Sequence, residues 1–120
     1  MMLGRISQGY PTLEVTFHLS EMPPLQLECV IDTGFAGYLT LPIAAVEAMK
    51  LPFFYRMPAN LANDSDIMVS VYLVIIRWQE ELRRVEVIAM GKRPLIGRAL
   101  MAGQFLGIRF EEDVELRIEL

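Results

Sequence analysis

The sequence predicts an all-β fold, closed and β-rich, with one or two short helices. Three observations carry that expectation. Apolar side chains recur at every second position in several runs, the periodicity of strands with one face buried. Clusters of Pro, Asn, Asp, Glu and Gly that suit turns separate those runs. Only one stretch has the composition of a clear helix. A length of 120 residues suits a single domain, residues 1–120, and no repeat, linker or low-complexity segment divides it.

Residues 12–19 place Leu13, Val15, Phe17 and Leu19 on one face of a strand. Residues 20–24, with two adjacent prolines, read as a turn. Residues 25–31 alternate again, with Leu25, Leu27, Cys29 and Ile31 on one side. That run stops at Asp32-Thr33-Gly34 and resumes at residues 38–41. Residues 42–50 are the best helix: Pro42 suits a first turn, and Ala44, Ala45, Glu47, Ala48 and Met49 are good helix formers. Residues 53–61 and 67–78 form two long strands around the polar tip Asn63-Asp64-Ser65, a hairpin. After a turn at 79–81, residues 82–90 form a strand with Val85, Val87 and Ala89 alternating. Residues 91–94 break the chain before Leu95-Ile96-Gly97, and residues 98–102 form a second short helix. Residues 105–110 and 114–120 pair around the solvated turn Glu111-Glu112-Asp113.

Composition excludes several classes. Eleven basic and fifteen acidic side chains leave a net charge of −4. Arg83-Arg84 and Lys92-Arg93 are the only adjacent basic pairs and neither makes a patch, which argues against nucleic acid as a partner. A single cysteine, Cys29, rules out an internal disulfide and an all-cysteine metal site; it reads as a buried small hydrophobe. A single histidine, His18, leaves no histidine cluster for a metal, and its place opposite Phe17 and Leu19 predicts exposure. Trp78 reads as a core or interface anchor. The longest apolar run, residues 67–76, is interrupted by Ser70 and is about half of what a bilayer span needs. No basic-then-apolar leader opens the chain, so the expectation is a cytoplasmic protein with no membrane partner. The 53% apolar content calls for a rich core, a subunit interface or a ligand groove.

The chemistry concentrates at residues 28–34. An apolar strand ends abruptly in Asp32, a poor strand residue, then in a small hydroxyl residue and a glycine with wide backbone freedom. The strand therefore delivers a carboxylate to a tight loop. An ordinary turn in which Asp32 caps its own backbone would account for the tripeptide alone. Its context adds a short apolar strand, Tyr38-Leu39-Thr40-Leu41, directly after it. Some sixty residues later come Leu95-Ile96-Gly97-Arg98 and a helical stretch.

These two motifs, in this order on a chain of this length, resemble the retropepsin-like aspartic proteases, the retroviral enzymes and their bacterial and archaeal relatives. The resemblance runs from residue 12 to the C-terminus. It implies a closed acid-protease barrel and a homodimer, because each subunit of that family gives one catalytic Asp. The two Asp32 side chains would meet on the two-fold axis and activate a water to hydrolyse a polypeptide substrate, with no metal or cofactor. By the same resemblance Thr33 would hydrogen-bond across the axis, and Gly34 would let the substrate backbone approach. Phe35 and Ala36 would continue the substrate-binding loop, and Asn63, Asp64 and Ser65 would form the tip of a mobile flap. Leu95, Ile96 and Gly97 would pass through the loop around Asp32 and support it from behind, followed by Arg98.

The chain departs from the family pattern at four places. Phe35 stands where a small residue is usual, and its ring would either narrow the substrate channel or turn into the core. Ala36 replaces the acid that pairs with the retroviral arginine matched by Arg98, and Ala99 replaces the asparagine after it. The flap tip carries no glycine. The alternative expectation is accordingly a weak or inactive domain that uses the fold for peptide binding or dimerisation.

Overall fold

The computed structural model describes residues 1–120 and is predominantly β-sheet. Ten strands and one helix follow in order: β1 (Met2–Ser7), β2 (Tyr10–His18), β3 (Leu25–Ile31), β4 (Leu39–Leu41), α1 (Ile43–Ala48), β5 (Phe53–Asn60), β6 (Asp66–Trp78), β7 (Glu81–Ala89), β8 (Leu95–Ile96), β9 (Phe105–Gly107) and β10 (Glu115–Glu119). All ten belong to one hydrogen-bonded sheet in the order β5-β6-β7-β4-β8-β3-β2-β1-β10-β9. A further short pairing, Phe17 opposite Ile76 and His18 opposite Ile75, joins β2 to β6.

The alternation that marks each strand also decides which face is buried. Leu13, Val15 and Phe17 of β2, Cys29 and Ile31 of β3, Val74, Ile76 and Trp78 of β6 and Val85, Val87 and Ala89 of β7 all enter one core of 21 buried residues. Burying a side chain such as Phe17, Ile76 or Val87 stabilises the fold by about 1.5–3 kcal/mol each. Trp78 is among them at 1% exposure, and its indole N–H donates to Gln104 Oε1 at 3.2 Å. The N-terminal β1 has no such pattern: only Ile6 is buried, and backbone pairing to β2 and β10 holds the strand in place. No helix is long and apolar enough to cross a membrane.

Two expectations are corrected. Residues 98–103 form successive turns and no helix. Leu100 N–H and Met101 N–H donate to Gly97 O and Arg98 O, three residues back, while Ala99 N–H is drawn to Gly37 O at 3.1 Å. These bonds leave no i→i+4 ladder. His18 is half-buried, and its Nε2 is enclosed without a partner. Alternation correctly puts it opposite Phe17, but the chain following α1 covers that face as well. His18 lines a hollow of about 250 Å³ together with Met49, Lys50, Leu51, Ile75 and Arg84.

Candidate active site around Asp32

Asp32 lies one residue beyond β3, in a loop that runs through residue 38 to β4. The two-residue strand β8 is inserted between β3 and β4. It runs parallel to β3, with Val30 opposite Leu95 and Ile31 opposite Ile96. It runs antiparallel to β4, with Leu39 opposite Ile96 and Thr40 opposite Leu95. Ile96 is fully buried and Leu95 half-buried, so the insertion is core packing as well as backbone pairing.

Backbone bonds extend this pairing around the whole loop. Val30 N–H donates to Pro94 O and Asp32 N–H to Ile96 O, both at 2.9 Å. Gly97 N–H donates to Tyr38 O at 2.9 Å, Arg98 N–H to Phe35 O at 2.8 Å and Ala99 N–H to Gly37 O at 3.1 Å. Residues 94–99 thus fasten both ends and the middle of the loop. The carboxylate is held by one bond, Asp32 Oδ1 accepting Gly34 N–H at 2.9 Å, while the Asp32 backbone carbonyl accepts Phe35 N–H at 3.2 Å and tightens the turn. Oδ2 has no partner within the chain. The side chain is an acid fixed through one oxygen and open at the other.

The ring of Phe35 folds back over the loop. A Cβ on Gly37 would stand 2.6 Å from its Cζ. A Cβ on Gly97 would stand 2.6 Å from its Cδ2 and would overlap the Gly37 carbonyl oxygen. Two glycines therefore make the bed for the ring, and Phe35 is half-buried. Thr33, Gly34 and Ala36 are exposed. Arg98 is exposed and makes no ion pair; the one salt bridge of the chain joins Arg117 to Glu119 at 3.0 Å.

Asp32 borders a hollow of about 310 Å³ lined by Tyr10, Pro11, Val30, Arg93 and Leu95. The Arg93 guanidinium lies 4.4 Å from the centre of the Tyr10 ring. Phe35 is not among the residues lining this hollow, so its ring leaves that space open.

The structure does not bring the hairpin tip to this hollow. Asn63, Asp64 and Ser65 bond within the β5–β6 turn: Asn63 Oδ1 accepts Ser65 N–H at 3.1 Å and Ser65 Oγ–H at 2.6 Å, and Leu61 N–H donates to Ser65 O. Asp64 takes a left-handed φ of 63°, a conformation aspartate tolerates, so a turn without glycine still closes.

Cys29 sits three residues before Asp32, facing the core. Burial, with a smaller contribution from the Glu28 charge, pushes its thiol from an ordinary 9.0 up to about 12. Such a thiol stays protonated and offers no nucleophile at neutral pH. Nowhere do three or more His, Cys, Asp or Glu side chains gather in a way that could hold a metal ion.

Three residues at the site escape sequence reasoning: Tyr10, Gly37 and Arg93. The two glycines of Gly34-Phe35-Ala36-Gly37 are a visible signal for a tight loop, whereas Arg93 reads in sequence only as half of a basic pair. No family model, no curated protein and no solved structure matches the chain.

Proposed function

We propose that this chain is one half of a homodimeric aspartic endopeptidase, with Asp32 as its catalytic residue. The observation that carries the reading is the strand β8 threaded between β3 and β4. It bonds the Asp32 loop on both sides and leaves one carboxylate oxygen free beside an open hollow. The β2–β6 pairing supports reading strands β6, β7, β4, β8, β3 and β2 as a closed barrel of the retropepsin-like kind.

One carboxylate per chain dictates the dimer. Two Asp32 side chains brought together on a two-fold axis cannot both ionise cheaply, so they share one proton. The ionised member takes a proton from a bound water as the hydroxyl adds to the scissile carbonyl carbon. The protonated member gives its proton to the carbonyl oxygen. Collapse of the resulting diol breaks the C–N bond, and the departing amine carries away a proton. No covalent intermediate forms. Polypeptide substrates need no strong electrostatic steering, which suits the modest net charge of −4.

The direct test is Asp32→Asn in purified protein, incubated with an unfolded protein over a range of pH. Loss of cleavage with retained secondary structure supports the reading; undiminished cleavage overturns it. A strict monomer by light scattering under cleaving conditions overturns it as well. A dimer that binds peptides and never cuts them would establish the fold as a binding module.

A further inference from the structure

We propose that Arg93 makes the hollow beside Asp32 selective for an acidic substrate side chain next to the scissile bond. This inference rests on the aspartic endopeptidase reading and deepens it.

Arg93 and Asp32 line the same hollow. The backbone bearing Arg93 is fixed, because Pro94 follows it and Pro94 O accepts the Val30 N–H at 2.9 Å. Its guanidinium carbon lies over the ring of Tyr10, 4.4 Å from the centre, a cation–π contact that orients it. The guanidinium has no ion-pair partner in the chain, so its N–H donors are available for two-pronged recognition of a carboxylate. The carboxylates that share hollows with it are Asp32 on one side and Glu28 on the other, and neither comes within ion-pairing distance.

The rest of the hollow supplies Pro11, Val30 and Leu95, apolar groups suited to the methylene stem of a glutamate. A glutamate entering here meets a charge-assisted donor at its head and apolar contact along its stem. A lysine would place like charge against Arg93. The negative charge of Asp32 would by itself repel an acidic substrate, and Arg93 offsets that repulsion. A two-fold axis through the paired Asp32 residues repeats the hollow, so the preference applies on both sides of the cut.

The test is the cleavage rate of the wild-type dimer on matched peptides that differ only beside the scissile bond, carrying Glu, Gln or Lys. Because Arg93 is exposed, the expected gain in kcat/KM for Glu over Gln is about three- to tenfold, with Lys slowest, and added salt narrows the spread. Arg93→Gln should flatten the ratio of Glu to Lys rates, and Arg93→Glu should invert it. Cleavage that depends on Asp32 but treats the three peptides alike overturns the inference and leaves the endopeptidase reading standing. Absence of any Asp32-dependent cleavage overturns both. The wild-type ratios decide the matter even where a variant does not fold.

Discussion

The ring of Phe35 lies against Gly97, so close that a methyl group on the glycine would stand 2.6 Å from Cδ2. The loop carrying the acid and the strand supporting it are therefore fitted to each other at one aromatic contact. A double-substitution series separates the causes. The three nearest atoms to a Cβ on Gly37 all belong to Phe35, so Gly37→Ala should cost about 1–3 kcal/mol alone and almost nothing beside Phe35→Ala. A Cβ on Gly97 also overlaps the Gly37 carbonyl, so Gly97→Ala should cost at least about 3 kcal/mol and stay costly without the ring. Urea unfolding of the three single and two double variants measures both.

On the proposed homodimeric reading, activity depends on pairs of chains, each giving one catalytic carboxylate. Wild-type and Asp32→Asn chains refolded together in equal amounts give about one quarter dimers with two intact acids. Peptidase activity per mole of total chain should fall to about a quarter of the wild-type value. A fall only to one half would mean that each chain acts alone, against the shared site.

Cys29 should be inert in the folded protein and reactive once unfolded. Its folded pKa of about 12 lies above its ordinary 9.0, so through that window the unfolded chain loses the proton while the folded chain keeps it. Stability from this group is therefore whole below pH 9.0 and falls as pH rises towards 12, by about 4 kcal/mol at most. The drop in urea midpoint between neutral and alkaline pH should be larger for wild type than for Cys29→Val. Labelling with a thiol reagent at neutral pH should require denaturant.

Gln104 holds the bottom of the core together. Its Oε1 accepts from the Trp78 indole at 3.2 Å and from Gln79 Nε2 at 3.1 Å, and Gln79 Nε2 also reaches Ile118 O at 2.9 Å. Gln104→Ala leaves the indole N–H of a 1%-exposed tryptophan unpaired and should cost about 1–3 kcal/mol. Gln104→Glu keeps an acceptor and should cost less. The fluorescence of Trp78, the single tryptophan, reports both transitions.

Strands β2, β3, β6 and β7 are legible in the sequence because each buries one face, and burial of one face is what alternation encodes. Strand β1 is not legible. Leu3 is exposed and Gly4 has no side chain, so backbone bonds to two neighbours make the strand without leaving an apolar trace. At residues 98–103 local preference points the wrong way. Ala99, Leu100, Met101 and Ala102 favour a helix, but the bonds to the Asp32 loop claim the backbone first. The acid and its supporting strand stand out as Asp32-Thr33-Gly34 and Leu95-Ile96-Gly97, because a carboxylate breaks an apolar run and because at Gly97 only a residue without a Cβ admits the Gly37 carbonyl and the Phe35 ring. The partnership of Arg93 with Tyr10 has no such signature, since it depends on the first residue of β2 arriving beside a loop about eighty residues further along the chain.

The threading of β8 has a consequence for biosynthesis. Asp32 emerges from the ribosome long before the segment that fastens its loop, and the bonds from Asp32 N–H to Ile96 O and from Gly97 N–H to Tyr38 O have no local substitute. Local hairpins such as β5–β6 close on their own, whereas this insertion waits for a distant piece of chain to slot between two strands already made. A growing polypeptide therefore carries Asp32 without its cradle until residues 94–99 have been made, and the candidate site is completed only when that later segment arrives.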